Sequence, residues 1–237
     1  MIISDFKIST NKKVFIIAEI GMNHNGVYKN AIKLIDSAVK IGADCVKFQM
    51  RDMKELYSKE ALDMTAGDLS TQYTINLLNK FQLSFADYKN LAKYSKKKNI
   101  IFMCTPWDKK SVDRLERINV PAYKLASADL TNLDLIDYVS KTKKSIILST
   151  GMSSEKEIEI TAKYLLSKKI KFSLLHTNST YPTPAKDINL NYIDRLIKKF
   201  NVPIGYSGHE RGIDSTLCAV AKGACIIERH ITLDKTM

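Results

Sequence analysis

The chain has 237 residues, with 37 Lys and Arg against 25 Asp and Glu, a formal net charge of +12, and 45% hydrophobic and 26% charged residues. That hydrophobic share supports a sizeable core, and the charge content excludes a disordered chain. No apolar run approaches the length of a membrane span, and the N-terminus lacks a signal peptide's apolar core and small-residue cleavage site, so a soluble cytoplasmic protein is expected.

Short, nearly continuous apolar runs alternate with amphipathic stretches. The runs are Val14 to Ile20, Cys45 to Gln49, Ile100 to Cys104, Ala122 to Ala126, Ser145 to Ser149, Phe172 to His176, Pro203 to Tyr206 and Cys225 to His230. Their Ile, Val and Phe content is that of parallel strands buried on both faces. After the first run, Ala31, Leu34, Ile35, Ala38 and Val39 recur at helical spacing. The second run is followed by a long gap, from residue 50 to about 83, read as an extended loop on the catalytic face with room for one short helix of its own, and loops of that length are commonly functional lids. Ser154 with Glu157 forms a capping-box signature ahead of Ile158, Ala162, Leu165 and Leu166. Tyr192, Ile193, Leu196, Ile197 and Phe200 outline another helix. Gly42 and Gly223 suit helix ends just before strands.

Eight strands with intervening helices predict an α/β fold, a (β/α)8 TIM barrel over residues 1–237 as one domain, lacking the last helix. The rival is a doubly wound open sheet, but the first run ends in Glu19-Ile20-Gly21-Met22-Asn23-His24-Asn25-Gly26, without a GxGxxG phosphate turn.

The lysines gather on helix faces and ends (Lys96 to Lys98, Lys141 to Lys144, Lys168 to Lys171, Lys198 and Lys199) without interleaved aromatics. This reads as a solvated surface, not a nucleic-acid platform, and its positive field favours an anionic small substrate. Cys45, Cys104, Cys218 and Cys225 form no CxxC pair and lie in apolar stretches, so buried free thiols are expected.

Polar residues collect at the carboxyl ends of the apolar runs, where barrel enzymes build their sites. They are Glu19; Lys47 and Gln49; Thr105; Lys124, Ser127 and Asp129; Ser149 and Thr150; His176, Ser179 and Tyr181; Ser207 and His209; and Glu228 and His230. A lysine inside a strand requires an anion. For Lys47 and Lys124 that anion is either a structural carboxylate such as Glu19 or Asp129, or a ligand phosphate assisted by Thr105, Ser127 and Ser149; a Schiff-base lysine is a third option. His209 and His230 end neighbouring strands and have the chemistry to share a divalent metal, or to serve as ordinary satisfied histidines. His176 reads as structural. Glu19 and Glu228 suit the orientation of water or substrate hydroxyls, or salt bridges to Lys47 or Arg229.

In these residues the chain resembles the sialic acid synthase family, the nonulosonate synthases, from about Phe15 to Met237. The resemblance is carried by Ala18-Glu19-Ile20-Gly21 with Asn23-His24-Asn25-Gly26; Lys47-Phe48-Gln49; Thr105-Pro106-Trp107; Pro121-Ala122-Tyr123-Lys124 with Ser127; Ser149-Thr150-Gly151-Met152; Tyr181-Pro182-Thr183-Pro184; Gly205-Tyr206-Ser207-Gly208-His209-Glu210; and Glu228-Arg229-His230. It implies a phosphoenolpyruvate site of Lys47, Thr105, Lys124, Ser127, Ser149 and Ser207. It implies Mn2+ or Mg2+ on His209 and His230, positioning of water and aldehyde by Glu19, Gln49 and Glu228, and sugar contacts from Tyr181 and Asp129. The implied reaction joins phosphoenolpyruvate to an open-chain N-acyl amino sugar, such as N-acetylmannosamine, giving a nine-carbon keto acid and phosphate.

Two positions depart from a common family pattern: Gly208 stands where some members carry Asp, and Asp129 where Glu is frequent. Family members also continue into a final helix and an antifreeze-like domain that caps the partner's site in a homodimer, and both are expected to be absent from this chain. The alternatives are another aldol-type or deoxy-heptulosonate-phosphate-like synthase on the same barrel, and a non-catalytic truncated barrel that only binds a ligand or partner.

Overall fold

A computed structural model describes residues 1–10, 12–63 and 69–236. Eight parallel strands close into a barrel: β1 (Phe15–Gly21), β2 (Cys45–Met50), β3 (Ile101–Pro106), β4 (Ala122–Leu125), β5 (Ser145–Ser149), β6 (Phe172–Thr177), β7 (Ile204–Gly208) and β8 (Ile226–His230). β8 pairs with both β7 and β1, so the sheet has no free edge. The expected barrel is observed, with strand limits within one or two residues of those read from the sequence.

Helix α1 (Tyr28–Lys40) crosses from β1 to β2, and Ala31, Leu34, Ile35 and Ala38 form its buried face. The segment after β2 differs from the expected extended loop. It holds α2 (Met53–Leu56), α3 (Lys59–Leu62), α4 (Leu69–Lys80) and the crossover helix α5 (Phe85–Lys97), while residues 64–68 lie outside the described residues. The short helices start where side chains accept orphan backbone N–H groups, Asp52 from Lys54 and Ser58 from Ala61, signals too brief to register as periodicity. The remaining crossovers are α6 (Lys109–Arg117), α7 (Leu133–Ser140), α8 (Glu155–Ser167), α9 (Asn191–Lys199) and α10 (Asp214–Ala221). α8 opens with the Ser154–Glu157 capping box. Gly42 and Gly223, at φ +76° and +96°, end helices in the left-handed region as their positions implied.

A feature absent from the sequence reading is a small antiparallel hairpin, Ile2–Ile3 with Phe6–Lys7. It closes the amino end of the barrel: Ile3 and Ile8 are buried against Phe15, Ile17, Met103 and Ile147. Cys45, Cys104 and Cys225 are buried as expected, but Cys218 is exposed. It lies on α10 next in sequence to the exposed Leu217, on a helix that also exposes Val220.

Candidate active site

Side chains alternate across a strand, so stepping by two stays on one face. The barrel interior begins with an apolar set that includes Ile17, Cys45, Met103, Ala122, Ile147, Leu175 and Ile226. Two residues further along those strands stand Glu19, Lys47, Thr105, Lys124, Ser149, Thr177 and Glu228, and all are buried. Another step of two brings Gln49, Trp107, Ala126, Ser179 and His230 to the rim. The apolar-to-polar switch is thus made at the same depth around the barrel. It leaves a cavity of about 240 Å³ at the carboxyl ends of the strands.

Four charges form the cavity floor. Lys47 Nζ lies 2.7 Å from Glu19 Oε2 and 3.8 Å from Glu228 Oε2. Lys124 Nζ lies 3.8 Å from Glu228 Oε1. Burial opposes the charge on Lys47, but the attraction of Glu19 and Glu228 outweighs it and raises its pKa above the ordinary lysine value. Lys124 is pulled down to about 8, chiefly by burial, with Glu228 opposing the shift. Burial pushes the Glu228 carboxyl up, yet Lys124 and Lys47 together hold it below the ordinary carboxylate range. Glu19 and Glu228 thus face Lys47 as counterions, in line with the salt-bridge reading of these residues. Arg229 pairs instead with Glu210.

Both lysines also set hydroxyls. Lys47 donates to Thr105 Oγ1 at 3.1 Å, and Lys124 donates to Ser149 Oγ at 2.7 Å. A hydroxyl that accepts from an ammonium keeps its own proton free to donate elsewhere. Ser207 Oγ donates to Glu228 Oε1 at 3.1 Å. Ser127 completes the hydroxyl wall beside Gly151, where an added Cβ would fall 2.9 Å from Ser127 Oγ and 2.5 Å from Ser179 Oγ.

At the rim the His209 and His230 rings lie 5.8 Å apart. His209 Nδ1 is 2.6 Å from the Asn178 carbonyl, which can only accept, so Nδ1 carries the proton. Its Nε2 therefore presents a lone pair, which accepts from the Tyr181 hydroxyl at 2.8 Å. Burial holds His209 down to about 4 and keeps it neutral. Burial likewise raises the Tyr181 phenol to about 12.

The sequence-selected residues Glu19, Lys47, Gln49, Thr105, Lys124, Ser127, Ser149, Tyr181, Ser207, His209, Glu228 and His230 all line this cavity. Asp129 does not. It is buried one turn behind the wall, where its Oδ1 accepts from Asn132, and burial raises its pKa. Thr150 turns away to the Leu175 carbonyl, and His176 is buried with Nε2 on the Ile188 carbonyl, as its structural reading implied. Trp107, Thr177, Ser179 and Met152 line the cavity without having been given a role. The step-of-two rule identifies Trp107, Thr177 and Ser179 once the strand limits are known.

Residues 34–237 match the NeuB family. The chain belongs to that family. Among NeuB relatives, it is 43% identical to an uncharacterised protein of Methanocaldococcus jannaschii, over 99% of this chain and 67% of that one. It is 42% identical to the N,N'-diacetyllegionaminic acid synthase of Campylobacter jejuni, over 95% of this chain and 70% of the relative. The solved N-acetylneuraminic acid (sialic acid) synthetase of Leptospira borgpetersenii superposes with a TM-score of 0.91 at 37% identity, covering all of this chain and 79% of that one.

Proposed function

We propose that this NeuB-family barrel condenses phosphoenolpyruvate with an open-chain N-acyl amino sugar, releasing phosphate and a nonulosonic acid. The observation that carries this reading is the convergence of two buried lysines, six serine and threonine hydroxyls and two imidazoles in one cavity. The relatives named as legionaminic and sialic acid synthases support the reaction class.

In this reading Lys47 and Lys124 take the phosphate and carboxylate of phosphoenolpyruvate, displacing Glu19 and Glu228 as their counterions. Thr105 and Ser149, each already accepting from a lysine, are poised to donate to the bound anion at no cost of reorientation. Ser127 and Ser207 add further donors. Attack by the enol carbon on the sugar aldehyde leaves positive charge on the neighbouring carbon. Glu228, freed from its lysines, balances that charge, Glu19 with Gln49 holds the water that captures it, and the resulting tetrahedral carbon expels phosphate by breaking its C–O bond. Tyr181 is assigned to the sugar, whereas Asp129, outside the cavity and bonded to Asn132, makes no direct contact with it in this reading.

The imidazole pair fits a divalent ion such as Mn2+ or Mg2+. His209 Nε2 has the free lone pair that coordination needs, once the Tyr181 hydroxyl gives up its bond. Among the described residues no group of three or more His, Cys, Asp or Glu is arranged to hold a metal, so the remaining ligands would come from substrate and water. Such an ion supplies a Lewis acid for the aldehyde oxygen.

The test is phosphate release from phosphoenolpyruvate with Mn2+ and a panel of N-acetylmannosamine, its 6-phosphate, and the precursors of legionaminic and pseudaminic acids. Sugar-dependent release from one of them is expected, together with no borohydride-trapped imine from pyruvate. Release that ignores the sugar, or a trapped imine, overturns the reading. For the metal, His209→Ala and His230→Ala are expected to weaken Mn2+ binding by calorimetry, and unchanged affinity in both removes the assignment.

A further inference from the structure

β2 places polar side chains at every second position: Lys47, Gln49 and, one residue past the strand, Arg51. The first two line the cavity, whereas Arg51 is packed behind it and only 8% exposed. It has no carboxylate within ion-pair distance among the described residues. Its Nη1 donates to Met22 Sδ at 3.2 Å, its Cζ lies 4.9 Å from the centroid of the Trp107 ring, and its Nη2 donates to Gln49 Oε1 at 2.7 Å. A buried guanidinium with no direct ion-pair partner is unfavourable for stability alone. Its bond to a cavity residue suggests what it does instead.

A guanidinium has donors only, so the Gln49 amide atom facing it must be the carbonyl oxygen. The other end of the amide, Nε2, then faces Glu19 Oε1 at 2.9 Å as a donor. Reversing the amide would set N–H against N–H at Arg51 and oxygen against oxygen at Glu19. The Tyr88 hydroxyl, donating to the Gln49 backbone carbonyl, pins the main chain at the same point. We propose that Arg51 is a positioning residue: it locks the Gln49 amide in the one orientation that steadies Glu19 Oε1, while Lys47 holds Oε2, so the carboxylate is aligned before substrate arrives. Arg51 acts through Gln49 and does not touch substrate. The orientation stands on geometry alone, and only its kinetic consequence rests on the condensation reading.

The test uses the whole chain, with Arg51→Met and Arg51→Lys. The side-chain amide protons of Gln49 are observed by 1H–15N NMR and assigned by their loss in Gln49→Leu. In the wild type, one of the pair is expected to be shifted and slow to exchange. In Arg51→Met the pair moves toward the position of a free amide and exchanges faster, and in Arg51→Lys, which keeps one donor, the wild-type signal is partly restored. An unchanged shift and exchange rate in Arg51→Met overturns the proposal, whether or not the protein condenses any sugar tested. Should Arg51→Met not fold, the wild type decides: Gln49 amide protons with the shift and exchange rate of a free amide overturn the proposal. With an active wild type, Arg51→Met is expected to lower kcat roughly 10-fold to 100-fold, as misplaced catalytic groups do, with the KM for phosphoenolpyruvate within about twofold. Gln49→Leu should show the same loss and the double variant no further loss, whereas additive losses count against action through Gln49. Absence of phosphate release by the wild type with every sugar counts against the condensation reading and leaves the amide spectrum to decide on Arg51.

Discussion

Replacing Lys47 with Met removes one charge from the buried quartet and keeps most of the side chain's length, so electrostatics dominates the effect. Lys47 faces Glu19 at 2.7 Å and Glu228 at 3.8 Å. At an effective dielectric of about 20, these contacts correspond to attractions of roughly 6 and 4 kcal/mol. Much of that offsets the desolvation of the lysine, so the measured loss is smaller: breaking a buried pair by removing one partner costs about 3–5 kcal/mol, because a charge is left uncompensated. For a domain of this size that is a fall in Tm of roughly 6–20 °C. Urea unfolding followed by the fluorescence of Trp107, the single tryptophan, measures it directly. Adding Glu19→Gln to Lys47→Met removes the stranded charge and is expected to recover half of the loss or more. A single variant within about 1 kcal/mol of wild type, or a double variant as unstable as the single, would refute the ion-quartet account.

Lys124 gives a pH signature, because burial holds its pKa near 8 in the folded state, below the ordinary 10.5. The unfolded chain therefore binds more protons between those values, so this group's contribution to stability rises with pH across that window. Anion binding runs the opposite way: calorimetry should show phosphoenolpyruvate affinity falling as pH climbs past about 8, and Lys124→Met should abolish that dependence. Flat wild-type affinity from neutral pH into this range would contradict the assignment. Gly205→Ala is expected to destabilise by about 1–3 kcal/mol through overpacking. The new Cβ would fall 2.6 Å from the Ile226 carbonyl oxygen and 2.7 Å from Ile226 Cβ, and that backbone oxygen cannot swing away; equal midpoints in urea would refute the claim. Ser154→Ala should cost about 1 kcal/mol by opening the capping box of α8, with Ser154→Asp recovering most of it, and a silent Ser154→Ala would show that packing alone sets the helix start.

Local signals were strong where one element repeats one pattern. The eight apolar runs became eight strands, and Ser154 with Glu157 began a helix, because burial on both faces and cap chemistry are written in adjacent residues. They were weak where structure is short or its environment is remote. The helices Met53–Leu56 and Lys59–Leu62 are too brief to show a period. The hairpin at Ile2–Lys7 gains its stability from the barrel floor it covers, not from its own sequence. Cys218 looks like a core residue until the exposed outer side of its helix is seen.

The sequence by itself determined the barrel, the chemical types at the strand ends and the resemblance they carry, because strand parity and helix periodicity are properties of a local stretch of chain. Only the tertiary structure decided who meets whom. Closing the sheet set Glu228 between Lys47 and Lys124, brought the Tyr181 hydroxyl onto His209, put Asp129 behind the wall and Arg51 behind Gln49. Those pairings join residues far apart in sequence, and their geometry depends on strand stagger and barrel closure, which no local pattern records.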